Sequence, residues 1–331
     1  MVCWHCASGG THEMVDVMTR TQQNTVPDAA GAATAGTIVE VTDLAYNYGA
    51  HGEFAAVKGL NLQVRRGELY ALLGTNGAGK TTTLETIEGH RSPTSGTVTV
   101  FGATPTDRRS IRPRIGIMLQ ETGYAADLTA IETLQLVGAI SGRNDDAERV
   151  LAKINLSDKR DTRVSQLSGG QRRRLDFGSA IWGTPELLFL DEPTTGLDPM
   201  ARDSLWDVVA QLRQAGTTII LTTHYLEEAE KYADRIGLMH NGILAREGTL
   251  DELVDGHPSR ISFVAPANAA LPLPAEVNAT GRSVVETTQL QQDLTALLLW
   301  AQAGGHTLEH LTATSSSLDD VFRTLTHTDT L

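Results

Sequence analysis

The stretch ELYALLGTNGAGKTT, Glu68 to Thr82, limits what this chain can fold into more than any other. Its first half is a short, nearly continuous apolar run, as a strand buried on both faces requires. Its second half fits G-x-x-x-x-G-K-[ST], with Gly74, Gly79, Lys80 and Thr81 at the fixed places. Glycines there let successive backbone N–H groups wrap phosphate oxygens. The lysine reaches the β and γ phosphates of a nucleoside triphosphate, and the threonine hydroxyl ligates Mg²⁺. The next residues, TTTLETIEG, can form the helix such a loop must open. ELLFLDE and TTIILTTH repeat the apolar run further on, with helical patterns between. That alternation predicts an α/β fold with a mainly parallel central sheet.

Two further polar groups end apolar strands. Asp191 and Glu192 close ELLFLDE, where an acid beside a phosphate loop holds Mg²⁺ and a second carboxylate orients or deprotonates the attacking water. His224 closes TTIILTTH. A histidine at a strand end is most often a surface or satisfied core residue. Next to the Asp191 strand it becomes a sensor of the γ-phosphate.

QLSGGQRRRLDFGSA, Gln166 to Ala180, raises a different question. A serine and two glycines before a helical run build a second phosphate-binding helix start. One chain with one evident nucleotide loop has no obvious use for it. Arg172, Arg173 and Arg174 just behind add positive potential, or at least two of them form a solvated helix face.

The chain has 331 residues and a formal net charge of −13. That length suits one large domain plus a smaller one. The acidic balance argues against nucleic acid as a partner, since such binders present a basic face. No apolar run approaches the roughly 18 to 20 residues that span a bilayer, and the first residues carry no apolar signal-type segment. The two cysteines, Cys3 and Cys6, form a CxxC near His5 and His12. No second ligand pair follows at finger spacing, so they are read as without metal or redox function, and Met14 or Met18 is an alternative start.

Residues 1–36 show no sustained period and are expected to form a disordered tail. The α/β pattern occupies 37–255, and a small α/β appendage occupies 256–331. In the appendage ISFVAP and SVVETT read as strands. Leu290, Leu294, Leu297, Leu298 and Ala301 form one apolar helix face that Gly304 and Gly305 end. HTLEHLTAT is a further strand, and a Ser317–Asp320 capping box opens a last helix with Leu318, Val321, Phe322 and Leu325 on one side.

GTNGAGKTT, LSGGQ, LLFLDEPTTGLDP and TTH, in that order, resemble the ATP-binding subunit of ABC transporters, over roughly residues 38–253. The resemblance implies a P-loop NTPase core with an ABC-type β-subdomain and a helical subdomain, and ATP with Mg²⁺ as cofactors. It assigns nucleotide contacts to Gly74, Asn76, Gly77, Ala78, Gly79, Lys80, Thr81 and Thr82. Tyr48 is similar to the aromatic that stacks on adenine, with Tyr46 close by. Gln120, in IGIMLQE, resembles the glutamine that senses Mg²⁺ and the membrane subunit. Thr81, Gln120 and Asp191 would hold the metal, with Glu192 and His224 catalytic. Ser168, Gly169, Gly170 and Gln171 resemble the signature, and Asp198 the aspartate that follows the acidic strand.

In this family two such domains pair head to tail, so the signature of one chain meets the ATP of the other. This answers the question raised by the second phosphate-binding element. The expected partners are therefore a second ATP-binding subunit, with a homodimer favoured, and separately encoded membrane permease subunits, with the chain peripheral at the cytoplasmic face. The segment after Gln120 is the expected coupling surface, with Thr129 and Glu132 capping a helix and Ile131 and Leu134 partly exposed. SLDDVFRTLT and HYLEEAE are similar to the daunorubicin-resistance type of exporter, which implies export of drugs, antibiotics or lipid-like compounds. The competing reading, a non-transport ABC ATPase acting on nucleic acid or ribosomes, lacks its usual coiled-coil insertion or second ATPase domain here.

Overall fold

A computed structural model of the chain describes residues 36–49, 53–120, 123–266 and 270–327. The expected tail and its CxxC lie outside the described residues, apart from Gly36. The elements run β1 (Thr37–Tyr48), β2 (Phe54–Arg65), β3 (Leu69–Gly74), α1 (Lys80–Ile87), β4 (Ser95–Val100), α2 (Arg108–Ile111) and β5 (Ile115–Met118). A helical stretch follows with α3 (Ala130–Ser141), α4 (Ala147–Lys153) and α5 (Gly169–Ile181). Strands then return as β6 (Leu187–Asp191), α6 (Pro199–Gln214), β7 (Thr218–Thr222), α7 (Leu226–Tyr232), β8 (Arg235–His240), β9 (Ile243–Gly248) and α8 (Leu250–Val254). The last part holds β10 (Ser259–Val264), β11 (Glu276–Val277), β12 (Ser283–Thr287), α9 (Leu290–Gly304), β13 (Glu309–Thr314) and α10 (Leu318–His327).

The central sheet has the order β5-β6-β7-β3-β8-β9, parallel except for β9. Its middle strands are apolar on both faces because each face has its own core. Tyr70 and Leu72 of β3, with Phe189 of β6 and Ile220 of β7, pack towards the antiparallel sheet β2-β1-β4. Leu69, Ala71 and Leu73, with Leu188, Leu190, Ile219 and Leu221, face the helices. Period-two alternation thus splits each apolar run between two cores. The arrangement sets the ends of β3, β6 and β7 side by side, with Asp191 in register with Thr222 and Thr222 in register with Leu72. Carboxyl ends of parallel strands are where α/β sheets bind ligands.

The helix after the Gln120 segment has its capping box, Thr129 with Glu132. Its apolar face is not where the sequence reading put it. Ile131 and Leu134 are buried in the helical core, and the exposed apolar residues are Leu136 and Ile140, 48% and 75% exposed. The first turn of α3 is held down by backbone bonds from Ala130 and Ile131 to the carbonyls of Thr162 and Arg160, so its early apolar residues turn inward.

Beyond Gly256 the strands form an antiparallel sheet, β11-β12-β10-β13, whose small core is Ile261, Phe263, Val285 and Leu297. Helix α9 covers it with Leu297 and Ala301 buried and Leu290 and Leu294 partly so. Leu298, expected on that face, is 46% exposed. At about 100° per residue it lies roughly 80° around the helix from Leu290, at the edge of the stripe, and a four-stranded sheet is too narrow to cover it. Gly305 ends α9 at φ 65°. Helix α10 carries the predicted face, but it docks elsewhere. Leu318 and Val321 are fully buried in the helical core of the large sheet, beside Leu253. The Leu318 N–H donates to Glu230 Oε1 at 2.6 Å, and Arg260 of β10 pairs with Asp320 at 2.9 Å.

Candidate nucleotide site

The loop between β3 and α1 has backbone that only glycine takes easily. Gly77 and Gly79 sit at φ 79° and 100°. A Cβ on Gly79 would lie 2.4 Å from the Ala56 carbonyl oxygen, and one on Gly74 2.4 Å from that of Met239. At Gly74 and Gly79 the loop therefore packs against neighbouring backbone too closely for a side chain, while Gly77 needs glycine only for its backbone conformation. Lys80 curls back over the loop, and its Nζ donates to the carbonyls of Gly74 at 2.8 Å and Thr75 at 3.2 Å. Burial pushes its pKa down, while the Glu192 and Asp191 carboxylates oppose that shift. A half-desolvated ammonium satisfied only by carbonyls is poised for an anion.

Above the loop lies a cavity of about 310 Å³. Its walls bring together Tyr48, Asn76, Gly77, Ala78, Gly79, Lys80, Thr81, Thr82, Gln120, Asp191 and Glu192. Phe54, which sequence reasoning missed, joins them. Tyr48 meets Phe54 at 6.4 Å between ring centroids and Tyr46 at 5.0 Å, and its hydroxyl lies 3.1 Å from Thr82 Oγ1. Arg91 lies over the rings of both tyrosines and pairs with Glu85. Tyr46 packs towards the core below, so Tyr48 and Phe54 are the aromatics on the cavity. The apolar start FAAV is the only sequence signal at Phe54, and it does not distinguish a cavity wall from a surface.

The acidic end is tightly organised. Asp191 is buried, and burial raises its pKa against the hydroxyl of Thr222, which donates to its carboxylate. Glu192 stands at φ 47°, a left-handed conformation uncommon outside glycine, and such strain collects at functional sites. Its N–H donates to the Thr222 carbonyl at 2.9 Å. Its Oε2 lies 3.3 Å from His224 Nδ1 and 3.3 Å from Thr195 Oγ1. His224 rests against the ring of Tyr225 at 4.0 Å. Beneath them Glu228, 5% exposed, accepts from Thr194 Oγ1 at 2.6 Å and from Thr223 Oγ1 at 3.0 Å. This buried carboxylate ties the turn after Glu192 to the turn carrying His224.

Metal ligands fit a hard cation. Among the described residues no group of three or more His, Cys, Asp or Glu side chains converges on one point. The cavity instead offers the Thr81 hydroxyl, the Gln120 amide and the Asp191 carboxylate, with Glu192 beside it on the wall. Mg²⁺ is held in this way, by one or two carboxylates with phosphates and water completing the shell.

The signature residues do not line this cavity. Ser168 caps α5, with its Oγ accepting from the Gln171 N–H at 3.2 Å and its own N–H donating to Gln171 Oε1 at 2.8 Å. Ser168 and Gly169 are exposed. Asp198 caps α6 through the Ala201 N–H at 2.9 Å, and it too is exposed and off the cavity. The three arginines behind the signature differ. Arg172 is exposed, Arg174 donates to the Asn155 carbonyl at 2.8 Å, and Arg173 is buried. The idea of a shared solvated face or a common positive patch does not survive for Arg173.

Residues 57–195 match the ABC transporter family model, and 259–317 match that of the ABC transporter domain-containing protein-like C-terminal domain. The daunorubicin resistance ATP-binding protein of Streptomyces coeruleorubidus is 36% identical over 295 residues, covering 84% of this chain and 93% of that protein. The daunorubicin/doxorubicin resistance ATP-binding protein of Streptomyces peucetius is 44% identical over 204 residues, 60% of this chain and 62% of that protein, so the match spans less than two thirds of its length. The Nod factor export ATP-binding protein I of Ralstonia nicotianae is 37% identical, covering 83% of this chain and 90% of that protein. A solved ATP-binding subunit of an ABC transporter superposes with a TM-score of 0.61 at 31% identity, over 66% of this chain and 92% of that one. A dimeric ATP-binding cassette in a post-hydrolysis state bound to ADP and Pi superposes with a TM-score of 0.60 at 26% identity, over 64% and 98%.

Proposed function

The chain belongs to the ABC transporter ATP-binding family, and from that premise we propose that it hydrolyses ATP as one half of a head-to-tail dimer. In this reading the dimer drives separately encoded membrane subunits that export drugs, antibiotics or lipid-like compounds. The observation that carries the proposal is a separation. One cavity gathers the phosphate loop, Gln120, Asp191 and Glu192, while the Ser168 helix start stands exposed and away from it. A phosphate-binding helix start without a phosphate loop opposite it in its own chain is useful to a second chain.

Within the cavity Lys80 exchanges its carbonyl partners for β and γ phosphate oxygens, which accept a charged donor better. The glycine-shaped loop offers backbone N–H groups to the same phosphates. Tyr48, with Phe54 beside it, gives the base an aromatic face. Mg²⁺, when bound to Thr81, Gln120 and Asp191, supplies charge neutralisation on the phosphates. Glu192 takes the proton of the attacking water, and His224 holds the Glu192 carboxylate while facing the site of the γ-phosphate. Asp191 keeps its orientation because the buried hydroxyl of Thr222 donates to its carboxylate.

Export is supported by the names of the relatives, whose own cargo is a property of those proteins. No helix among the described residues is long and apolar enough to cross a membrane; the peripheral place at the cytoplasmic face, through partner subunits, follows from the family reading. Leu136 and Ile140 on α3 replace Ile131 and Leu134 as the apolar residues available to such a partner. The test is affinity purification of the chain from detergent-solubilised membranes. Recovery of a multi-span membrane protein, with ATPase activity, supports the reading; recovery of RNA or DNA in its place overturns it.

A further inference from the structure

Arg173 lies in the second turn of α5, behind the Ser168 cap, and is 7% exposed. A guanidinium has five N–H donors in a fixed plane, and here they meet carbonyl oxygens from two separate segments. Nη1 donates to Leu119 at 2.7 Å and Gln120 at 3.0 Å. Nη2 donates to Asp191 at 2.6 Å and Glu192 at 2.7 Å, and Nε to Pro193 at 3.3 Å. The acceptors are main-chain atoms of the segments that carry Gln120 and Glu192 into the cavity. Three of them are the carbonyls of the left-handed Glu192 and of its two chain neighbours. Burial works against the charge of the group, and the nearby Asp176, Asp191 and Glu192 carboxylates sustain it.

We propose that Arg173 is a positioning residue that fastens the Gln120 segment and the strained Glu192 turn to the helix whose start the partner's nucleotide engages. The proposal rests on the functional reading above. A helix such as α5, whose hydrogen bonds close within each turn, transmits a tilt of one end along its length. A tilt of its Ser168 end therefore reaches the carbonyls of Gln120 and Glu192 through one planar group. The left-handed backbone at Glu192 is strained and persists only where the surroundings hold it. Three donors on three successive carbonyls do so directly. A lysine offers three donors from one atom on a flexible stem and cannot span both segments. Arg173 does not touch the cavity contents itself.

The test compares Arg173→Lys and Arg173→Gln with wild type in purified full-length chain. It reads melting temperature, nucleotide bound per chain, and kcat and KM for MgATP. Arg174→Met is the control, since among the described residues Arg174 donates to the Ile154 and Asn155 carbonyls, away from the cavity. The expected result is a kcat at least tenfold lower in both Arg173 variants, with KM within about threefold and nucleotide stoichiometry unchanged. In a Glu192→Gln background, ATP should trap less dimer when Arg173 is also replaced. A kcat per bound nucleotide within twofold of wild type in either Arg173 variant overturns the proposal. So does an equal loss of kcat in Arg174→Met, which would mark general damage to the helix. Glu192→Gln alone, run in parallel, separates the levels. Its turning over ATP normally would remove the functional reading and this inference together, whereas its inactivity beside an active Arg173→Lys removes the inference alone.

Discussion

Glu192 Oε2 lies 3.3 Å from His224 Nδ1, across the ends of the neighbouring parallel strands β6 and β7. Neither residue is near the other in sequence. The strand pairing brings them together, and the fully paired backbone at Glu192 N–H and Thr222 C=O fixes the distance. A carboxylate oriented by an imidazole, at the rim of a cavity lined by a phosphate loop, is suited to activating water.

Glu192→Gln should nearly abolish hydrolysis while ATP still binds. The amide keeps the shape but loses the base, and such a loss costs on the order of 10²–10⁴ in rate. Size-exclusion chromatography with MgATP should show a persistent dimer. Wild-type turnover in this variant would remove Glu192 from its role.

Lys80→Ala should weaken nucleotide binding or stop turnover, because it deletes the ammonium that faces the β and γ phosphates. Nucleotide binding by equilibrium dialysis and steady-state ATPase assays check both arms. If affinity and turnover were both unchanged, the phosphate-loop assignment would be wrong.

Ser168→Arg should leave ATP binding by the single chain intact and stop dimer-dependent hydrolysis. Loss of the cap alone costs about 1 kcal/mol and would lower activity only modestly. A bulky side chain at the exposed helix start blocks the partner's nucleotide instead. Mixing Ser168→Arg with Lys80→Ala puts both defects in one composite site and leaves the other whole. Partial activity from the mixture, when neither homodimer works, supports a shared site. Normal turnover by Ser168→Arg homodimers would refute it.

Leu318→Ala should destabilise the whole ATP-binding part of the chain, because Leu318 is fully buried in its helical core. Burial of this kind makes the change worth about 2–5 kcal/mol, read by urea denaturation followed at a tryptophan signal. A cost under about 0.5 kcal/mol, the level of an ordinary surface change, would mean that α10 does not pack there in solution.

Contiguous residues determined the chemistry. GTNGAGKT reads as a phosphate loop without any partner, because its glycine and lysine spacing alone carries that reading. LSGGQ and the DE pair are likewise short enough to read in one dimension. The apolar runs around them fixed the strands and the parallel sheet, and the capping pairs at Thr129 and Ser168 fixed helix starts, because a cap is a bond across three residues. Tertiary structure decided what depends on distant neighbours. The sequence has two tyrosines near the base site, and only packing turned Tyr46 inward and left Tyr48 with Phe54 on the cavity. Ile131 and Leu134 went inward and Leu298 outward because the bonds from Ala130 and Ile131 to a distant loop, and the width of a four-stranded sheet, are not written in a helical period. The last helix has a legible apolar face, yet its binding partner was a long-range choice, and it lies on the core of the large sheet. Arg173 is the clearest case. A run of three arginines reads as added positive potential or as a helix face with at least two of them solvated, and only the convergence of two remote segments on its planar donors makes the middle one a buried tie between the two ends of the site.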